Sequence, residues 1–516
     1  MQILPNPYKV EKLSGTFSLT KDSVIYYNSD FSAQAKLFAR LVEQSCGDCL
    51  SFTDEIEQAQ IIFAKNDNTH SEGYTLMISQ GVATVNAGTP QGCFYAVNTL
   101  RQVFNLDSKQ EVITCANCYI EDKPKFAHRG LMVDIARHFY GVDTLKQIVE
   151  LMSQVKLNRL HLHLTDDQGF RIQIDKYPRL TEVSSVRQGT EVVKGGKRYV
   201  DDQIHGGYLT KDEIRQLIDY AAERNVEIIP ELDVPGHLVA ALAAYPEYSC
   251  THQVSEVRKL WGISKDILCA GNDSSYVFIQ DILDEIVELF PCEYVHLGGD
   301  EAPKDRWCNC KLCRERMAEL KLDDYDELQT HMLEVFRAHL ETKGKKVICW
   351  NDGITSSAHT DIVSQLWKPL NYKKAAKSAT KQGRKVILSP HFHLYFDYPY
   401  ALTPLHKTLN FNPCNGLSSA QRDNILGVEA PLWTEYVTSS DKLYFQLLPR
   451  LDALAEVCWG WSKHGYVKRV ARRMELYENL GLCYNKQALK RALVGRATTV
   501  RKFFRKDSDV EFSQNQ

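Results

Sequence analysis

The chain has 516 residues, 44% hydrophobic and 25% charged, with a formal net charge of −3 and a pI near 6.6. Those values describe a globular protein long enough for one large domain and one or two smaller ones, and they exclude the strongly basic surface that nucleic acid or an anionic membrane requires. The start, MQILPNPYKVEKLSG, lacks the basic segment and long apolar run of a secretory leader, and no stretch is apolar enough to span a bilayer, so a cytoplasmic location is expected.

Residues 1–122 read as a small α+β domain. SVIYYN and AQIIFA have the composition of strands, and YTLMISQGVATVNAG alternates around Gly81 as a hairpin does. TPQGCFYAVNTLRQVF predicts a helix, with Thr89 as its cap and Pro90 at the first helical position. Nothing in this stretch concentrates reactive side chains, so it is expected to be a packing domain.

From residue 123 the rhythm changes. Eight short apolar runs recur, most of them followed by a helical pattern: RGLMVDIAR, RLHLHLTDD, EIIPELDVPGH, YVHLGGDE, KVICWND, DIVSQLW, KVILSP and ILGVEAPLW. Between the first two, Leu145, Ile148, Val149, Met152 and Val155 repeat at helical spacing behind Asp143, the expected cap. Before the third, Thr210 and Glu213 form the pattern of a capping box. Eight strands with intervening helices predict a (β/α)8 TIM barrel over residues 123–465. The stretch from Asp175 to Tyr208 has the character of a loop over one end of it.

The fifteen cysteines are an odd number and many lie in apolar runs, which suits reduced, buried thiols. In WCNCKLC, Cys308, Cys310 and Cys313 have spacing suited to part of a zinc site, but no fourth ligand is evident nearby, so free thiols are expected and no metal. Residues 466–516 are basic and helical in pattern, and are expected to pack on the barrel with a solvated face.

Polar and aromatic residues collect at the C-terminal ends of most of the eight runs: Arg137, Asp166, His237, Asp300, Glu301, Trp350, Trp367 and Trp433. In a (β/α)8 barrel that end carries the active site. Flat aromatic faces stack on sugar C–H faces, while carboxylates and arginine bond the hydroxyl rim. Glycoside cleavage also needs a carboxyl kept protonated, and both burial and a neighbouring Asp300 carboxylate would disfavour ionisation of Glu301. Gly298 and Gly299 would let backbone and ligand approach closely. These residues point to a glycosidase, with a phosphate or metal enzyme as the main rival.

HLGGDE resembles the His-x-Gly-Gly-Asp-Glu motif of glycoside hydrolase family 20, the β-N-acetylhexosaminidases, and the likeness runs through almost the whole barrel. The resemblance implies Glu301 as acid/base and Asp300 as the acceptor that orients a 2-acetamido group, whose carbonyl oxygen is the nucleophile. DIARHF implies Arg137 on the O3 and O4 hydroxyls. LHLHLTDDQGFR and PELDVPGH imply that Asp166 supports the acid/base through His237. CWND, SQLW and EAPLWTE imply that Trp350, Trp367 and Trp433 enclose the sugar, with Glu435 on a hydroxyl. LYFDYPY implies Tyr395 at the acetamido carbonyl and Asp397 near the hydroxyls. The implied activity is exo cleavage of terminal β-linked GlcNAc or GalNAc with retained configuration. Neither cofactor nor metal is implied. The implied partner is a glycan or glycoconjugate, not nucleic acid or membrane, with a homodimer open beside a monomer.

Taken singly, each residue also has a structural reading. A tryptophan at a strand end packs, His237 after Pro-Gly caps a turn, Asp166 and Asp167 cap the next segment, and Arg137 sits in an ion pair. The rival functions are a glycosidase with a protein carboxylate as nucleophile, a non-catalytic carbohydrate-binding barrel, and a zinc enzyme using the cysteine cluster.

Overall fold

Period-two burial along Tyr74–Ser79 and Val82–Ala87 sets one face of each strand against a core. Gln80 and Gly81 join them with φ of 50° and 79°, the two left-handed residues of a tight hairpin turn. The computed structural model describes residues 1–67, 70–194, 197–368 and 372–489, and divides into two compact units.

In the first unit these two strands are β5 and β6 of a seven-stranded sheet ordered β1-β7-β5-β6-β4-β2-β3. The others are β1 (Lys9–Leu19), β2 (Val24–Tyr27), β3 (Ser51–Phe52), β4 (Ile61–Lys65) and β7 (Ile113–Asp122). Helices α1 (Ser32–Cys46) and α2 (Pro90–Val103) share one apolar core with the sheet through Phe31, Phe38, Phe63, Leu76, Val85 and Leu100. The Thr89 hydroxyl accepts from the Gly92 N–H at 3.1 Å, capping α2 as expected.

This unit also contains residues 151–157 and 448–489. Lys156, fully buried, donates to Asp122 at 2.7 Å and to Tyr74 and Thr99 at 2.9 Å. The last described helix, Tyr466–Asn479, keeps the expected solvated face, through Val467, Lys468, Ala471 and Glu475, but corrects the expectation that it packs on the barrel. It belongs with the N-terminal sheet, and Arg469 and Arg473 are buried against Glu456 and Asp452. Two of its four basic residues thus have buried carboxylate partners, which the helix sequence alone does not reveal. Residues 490–516, the rest of that expected segment, lie outside the described residues.

The second unit is a closed eight-stranded parallel barrel. All eight apolar runs form its strands: His128–Asp134, Arg159–His163, Glu227–Glu231, Tyr294–His296, Lys346–Trp350, Val363–Leu366, Val386–Leu388 and Ile425–Leu432. Parallel pairing needs a crossover after each strand, and helices Val142–Gln154, Lys211–Ala222, Asp273–Leu289, Tyr325–Thr342 and Tyr372–Lys381 supply most of them. The connection from the fifth strand to the sixth, residues 351–362, holds only turns.

Three local expectations meet different outcomes. The capping box of Thr210 and Glu213 forms. Asp143 is not a cap: the helix begins at Val142, which puts the carboxylate in the first turn beside the exposed N–H groups. Residues 175–208 are more than a loop. They include a short helix, Arg179–Glu182, a ladder of Val186–Gln188 with Ile204–Gly206, and a hairpin of Glu191–Lys194 with Lys197–Val200. Trp261 anchors the hairpin by donating its ring and backbone N–H groups to Glu191 at 2.8 Å.

Candidate active site

Register sets the floor of the site. Asp134 pairs with His163, His163 with Glu231, and Glu231 with His296, so one level of the barrel carries acid and imidazole in alternation. His163 offers Nδ1 to Glu231 at 2.5 Å and Nε2 to Asp166 at 2.9 Å. With a carboxylate at both nitrogens the ring is held as imidazolium: burial opposes the charge, and Glu231 and Asp166 raise the pKa well above the ordinary value. Glu231 also accepts from the Trp350 indole at 2.8 Å and lies 3.1 Å from His296. Despite burial, its three histidine neighbours hold it well below the usual carboxylate range.

Asp166 is the hub above this floor. It receives Arg137 at 2.6 Å, His163 at 2.9 Å and His237 Nδ1 at 3.2 Å. The resemblance implied the His237 contact; the Arg137 and His163 contacts are additional. Burial pushes Asp166 up, but Arg137, His237 and His163 together bring it down. His237 sits at φ 51° after Gly236, and its Nε2 lies 3.8 Å from both Asp300 and Glu301. Among the described residues that nitrogen has no hydrogen-bond partner, and neither does Nε of the buried Arg137.

Four consecutive left-handed or acidic residues follow the fourth strand. Gly298, Gly299 and Glu301 have φ of 61°, 97° and 50°, and they turn the chain sharply. The glycines make room for protein rather than ligand. A Cβ on Gly298 would lie 1.8 Å from Asp233 Oδ1, and one on Gly353 would lie 2.5 Å from the Gly299 carbonyl. The Gly299 N–H donates to Asp233 at 2.8 Å, and Gln329 donates to the Gly299 carbonyl at 2.6 Å. The expected close approach of ligand at these glycines is thereby corrected.

The turn also reverses the burial expected of the acidic pair. The Asp300 side chain is 11% exposed and its Oδ1 has no partner among the described residues, whereas the Glu301 side chain is 36% exposed in the mouth. Burial pushes Asp300 up to about 7; His237 opposes the rise, and Asp352, Glu231 and Glu301 add to it. Asp352, two residues past Trp350, accepts from the Trp367 indole at 2.7 Å and lies against the Glu301 N–H at 3.4 Å.

Aromatic side chains wall this end. Trp433 packs edge-on to His163 at 5.0 Å, and the Arg137 guanidinium lies 4.8 Å from its ring centre. Trp367 and Tyr395 are near parallel at 6.4 Å, and Tyr395 lies 6.4 Å from Trp433. Burial holds the Tyr395 phenol protonated. Trp350, 1% exposed, backs Trp433 at 6.0 Å from beneath. Glu435 is half-buried, with Arg137 opposing the rise that burial causes in its pKa. Asp397 is half-buried after Tyr395, and its backbone carbonyl accepts from Gln446 at 2.6 Å.

Glu231, His163, Asp233 and Asp352 were missed from sequence. Their signal was a charged or imidazole side chain inside an apolar strand run, or an acid just beyond a strand-end tryptophan. Among the described residues, several buried His/Asp/Glu groups lie close enough to hold a cation, including Asp233, His237 and Asp300. Around Asp166 the Arg137 guanidinium at 2.6 Å already supplies positive charge. The mouth therefore offers an unpaired buried acceptor, an exposed carboxyl and two unpaired nitrogens between aromatic walls, which suits a neutral polar ring whose bond is cleaved by proton transfer.

Residues 126–462 match the family model "Glycosyl hydrolase family 20, catalytic domain", and residues 1–123 match "Glycosyl hydrolase family 20, domain 2". A β-hexosaminidase of Porphyromonas gingivalis is 34% identical, over 89% of this chain and 60% of its own length. One from Vibrio furnissii is 32% identical, over 88% and 76%. The chain thus spans about three-fifths of the first relative. Among solved structures, a GH20 exo β-N-acetylglucosaminidase of Vibrio harveyi in complex with N-acetylglucosamine superposes with a TM-score of 0.83 at 29% identity, covering 94% of this chain and 78% of that one. A β-N-acetylhexosaminidase of Bacteroides fragilis gives 0.81 at 27% identity, covering 95% and 99%.

Proposed function

The chain belongs to glycosyl hydrolase family 20, and from that premise we propose that it is an exo-acting β-N-acetylhexosaminidase that releases terminal β-linked GlcNAc or GalNAc from a glycan with retained configuration. The observation that carries the proposal is the Asp300–Glu301 turn. It offers one buried carboxyl with an unpartnered oxygen beside one carboxyl open to the mouth, next to a Trp367–Tyr395–Trp433 wall.

Glu301 protonates the glycosidic oxygen as the 2-acetamido carbonyl attacks the anomeric carbon and the leaving group departs. The free Oδ1 of Asp300 accepts from the acetamido N–H. It thereby orients the group and stabilises the positive charge that develops on the oxazolinium ring. Tyr395 donates to the acetamido oxygen, and the tryptophans hold the group curled beneath the ring, so little freedom is lost at the moment of attack. Glu301 then takes a proton from water, which opens the oxazolinium from the face the leaving group vacated. Arg137, Asp397 and Glu435 bind sugar hydroxyls, and Trp350 supports the wall from beneath. His237, held by Asp166, sits equidistant from both carboxyls and steadies their charge.

The test is the hydrolysis rate of an aryl β-GlcNAc glycoside against the matching aryl β-glucoside. A preference of several orders of magnitude for the first is expected, because only that substrate carries its own nucleophile. Comparable rates would move the nucleophile to a protein carboxylate, and sugar binding without turnover of either would leave a lectin-like barrel.

A further inference from the structure

Four cysteines far apart in sequence meet outside the site described above. The sulfurs of Cys250, Cys269, Cys310 and Cys313 all lie within 4.8 Å of one another. The Cys250–Cys313 and Cys269–Cys313 distances are 3.7 Å, and Cys269–Cys310 is 3.9 Å. A disulfide needs about 2.0 Å. A tetrahedral ion with sulfurs at about 2.3 Å puts neighbouring sulfurs about 3.8 Å apart, which is the spacing seen. We propose that these four cysteines form a structural zinc site.

The backbone is built for it. Cys250 follows the turn Pro246–Tyr248, and the Ser249–Leu268 bridge sets Cys269 beside it, with the Cys269 N–H donating to the Tyr248 carbonyl at 2.8 Å. Cys310 and Cys313 form a Cys-x-x-Cys at the start of helix Lys311–Leu320. The two halves approach so closely that a Cβ on Gly271 would lie 2.1 Å from the Leu312 backbone and 2.3 Å from the Cys313 nitrogen. Cys269 and Cys313 are buried, while Cys250 and Cys310 are half-buried. The expectation of free thiols thus gives way for Cys310 and Cys313, while Cys308, whose spacing suited a partial site with them, is exposed and stands outside the group. The partners missing from the sequence reading were Cys250 and Cys269, 41 to 63 residues upstream.

Four soft thiolates in this arrangement select zinc or iron. Their mutual span leaves room for one ion at the centre, whereas bridging sulfides in an iron–sulfur cluster hold thiolates further apart. Binding is a proton exchange: four thiols and one Zn2+ give a tetrathiolate zinc centre of charge −2 and four released protons.

The site would brace catalytic loops without entering the chemistry. The Leu268 N–H donates to Pro235 at 2.9 Å, two residues before His237, and the Trp307 indole donates to the Leu268 carbonyl at 2.8 Å, shortly after Glu301. Zinc would thus tie the loop after the third strand to the loop after the fourth, whatever reaction those loops serve.

The experiment is elemental analysis of the full-length protein purified without chelator, together with its intact mass after denaturation. One zinc per chain and a mass with all thiols reduced are expected. Cys308→Ser should keep the zinc, and the Cys310→Ser/Cys313→Ser double variant should lose at least nine-tenths of it. Replacement by cobalt(II) should give the thiolate charge-transfer band and intense visible bands of a tetrahedral sulfur site. Withdrawing the metal should lower Tm by several degrees, because the binding energy lost is folding energy. A metal-free wild-type protein that takes up no added zinc overturns the proposal. So does iron in its place, or a mass lower by the hydrogens lost to disulfides. The wild-type and Cys308→Ser measurements decide the matter even if the double variant does not fold.

Discussion

Asp300→Asn isolates what burial does to the acidic pair. The wild-type carboxyl rises from 3.8 to about 7 because it lies in the protein, with three further carboxylates facing it. Below about pH 4 it is protonated in both folded and unfolded chains and costs nothing. Above about pH 7 it is ionised in both, and the folded state bears the whole penalty. The rise corresponds to roughly 4 kcal/mol. Asparagine carries no charge, so the variant should be more stable than wild type at pH 8 by about 2–4 kcal/mol. It still places an NH2 near the His237 ring, 3.8 Å from the wild-type Asp300 oxygen, which removes part of the gain. The gap should close on going down to pH 4. Thermal unfolding of both proteins at pH 4, 6 and 8 reads this as a Tm difference growing to about 4–8 °C. At the same time kcat should fall about 10²–10³-fold, the usual cost of losing one group aimed at developing charge. A variant less stable than wild type at pH 8, or a Tm gap independent of pH, would refute the assignment of burial as the cause. Unchanged kcat would refute the role of Asp300.

Three further outcomes are expected. Asp352 adds to the rise of Asp300, so Asp352→Ala should shift the acidic limb of the kcat/KM profile, set by Asp300 near 7, to lower pH. It should also loosen Trp367, whose indole it holds, and lower kcat/KM about tenfold at the optimum. Trp433→Ala removes the ring that Arg137 and Tyr395 face and should cost about 1.5–3 kcal/mol in kcat/KM, roughly 10- to 100-fold, with Trp433→Phe recovering part of it. Lys156→Met leaves Asp122 buried without its cation and should destabilise the N-terminal unit by about 3 kcal/mol in chemical denaturation, with kcat per folded molecule unchanged.

The barrel was legible because each of its strands is a short apolar run in a buried environment. His128–Asp134 is buried at every position, for example, so hydrophobicity marks it without any need for alternation. The candidate side chains were legible for a related reason. Arg137, Asp166, His237 and Trp433 interrupt or end such runs, and a polar or bulky residue there is conspicuous against Val, Ile and Leu. The long excursion 175–208 was not legible as two-stranded ladders, because its strands are three or four residues long and its inner hairpin strand Lys197–Val200 is exposed throughout. The C-terminal helix was misplaced because Arg469 and Arg473 look like solvated charges until Glu456 and Asp452 are found beside them.

By itself the sequence determined the eight-fold strand rhythm, the helix caps at Thr89 and Thr210, and the set of residues gathered at one end of the barrel, since local pattern and composition encode all of these. Tertiary structure alone decided which member of the acidic pair is buried. Gly298, Gly299 and the left-handed Glu301 turn Asp300 inward and Glu301 outward, and no one-dimensional spacing carries that direction. It alone decided that Asp166 also joins Arg137 and His163, because the pairing of the first two barrel strands brings their ends together. It alone brought Cys250 and Cys269 to Cys310 and Cys313, across a chain separation at which proximity depends on the folded path and not on the residues between.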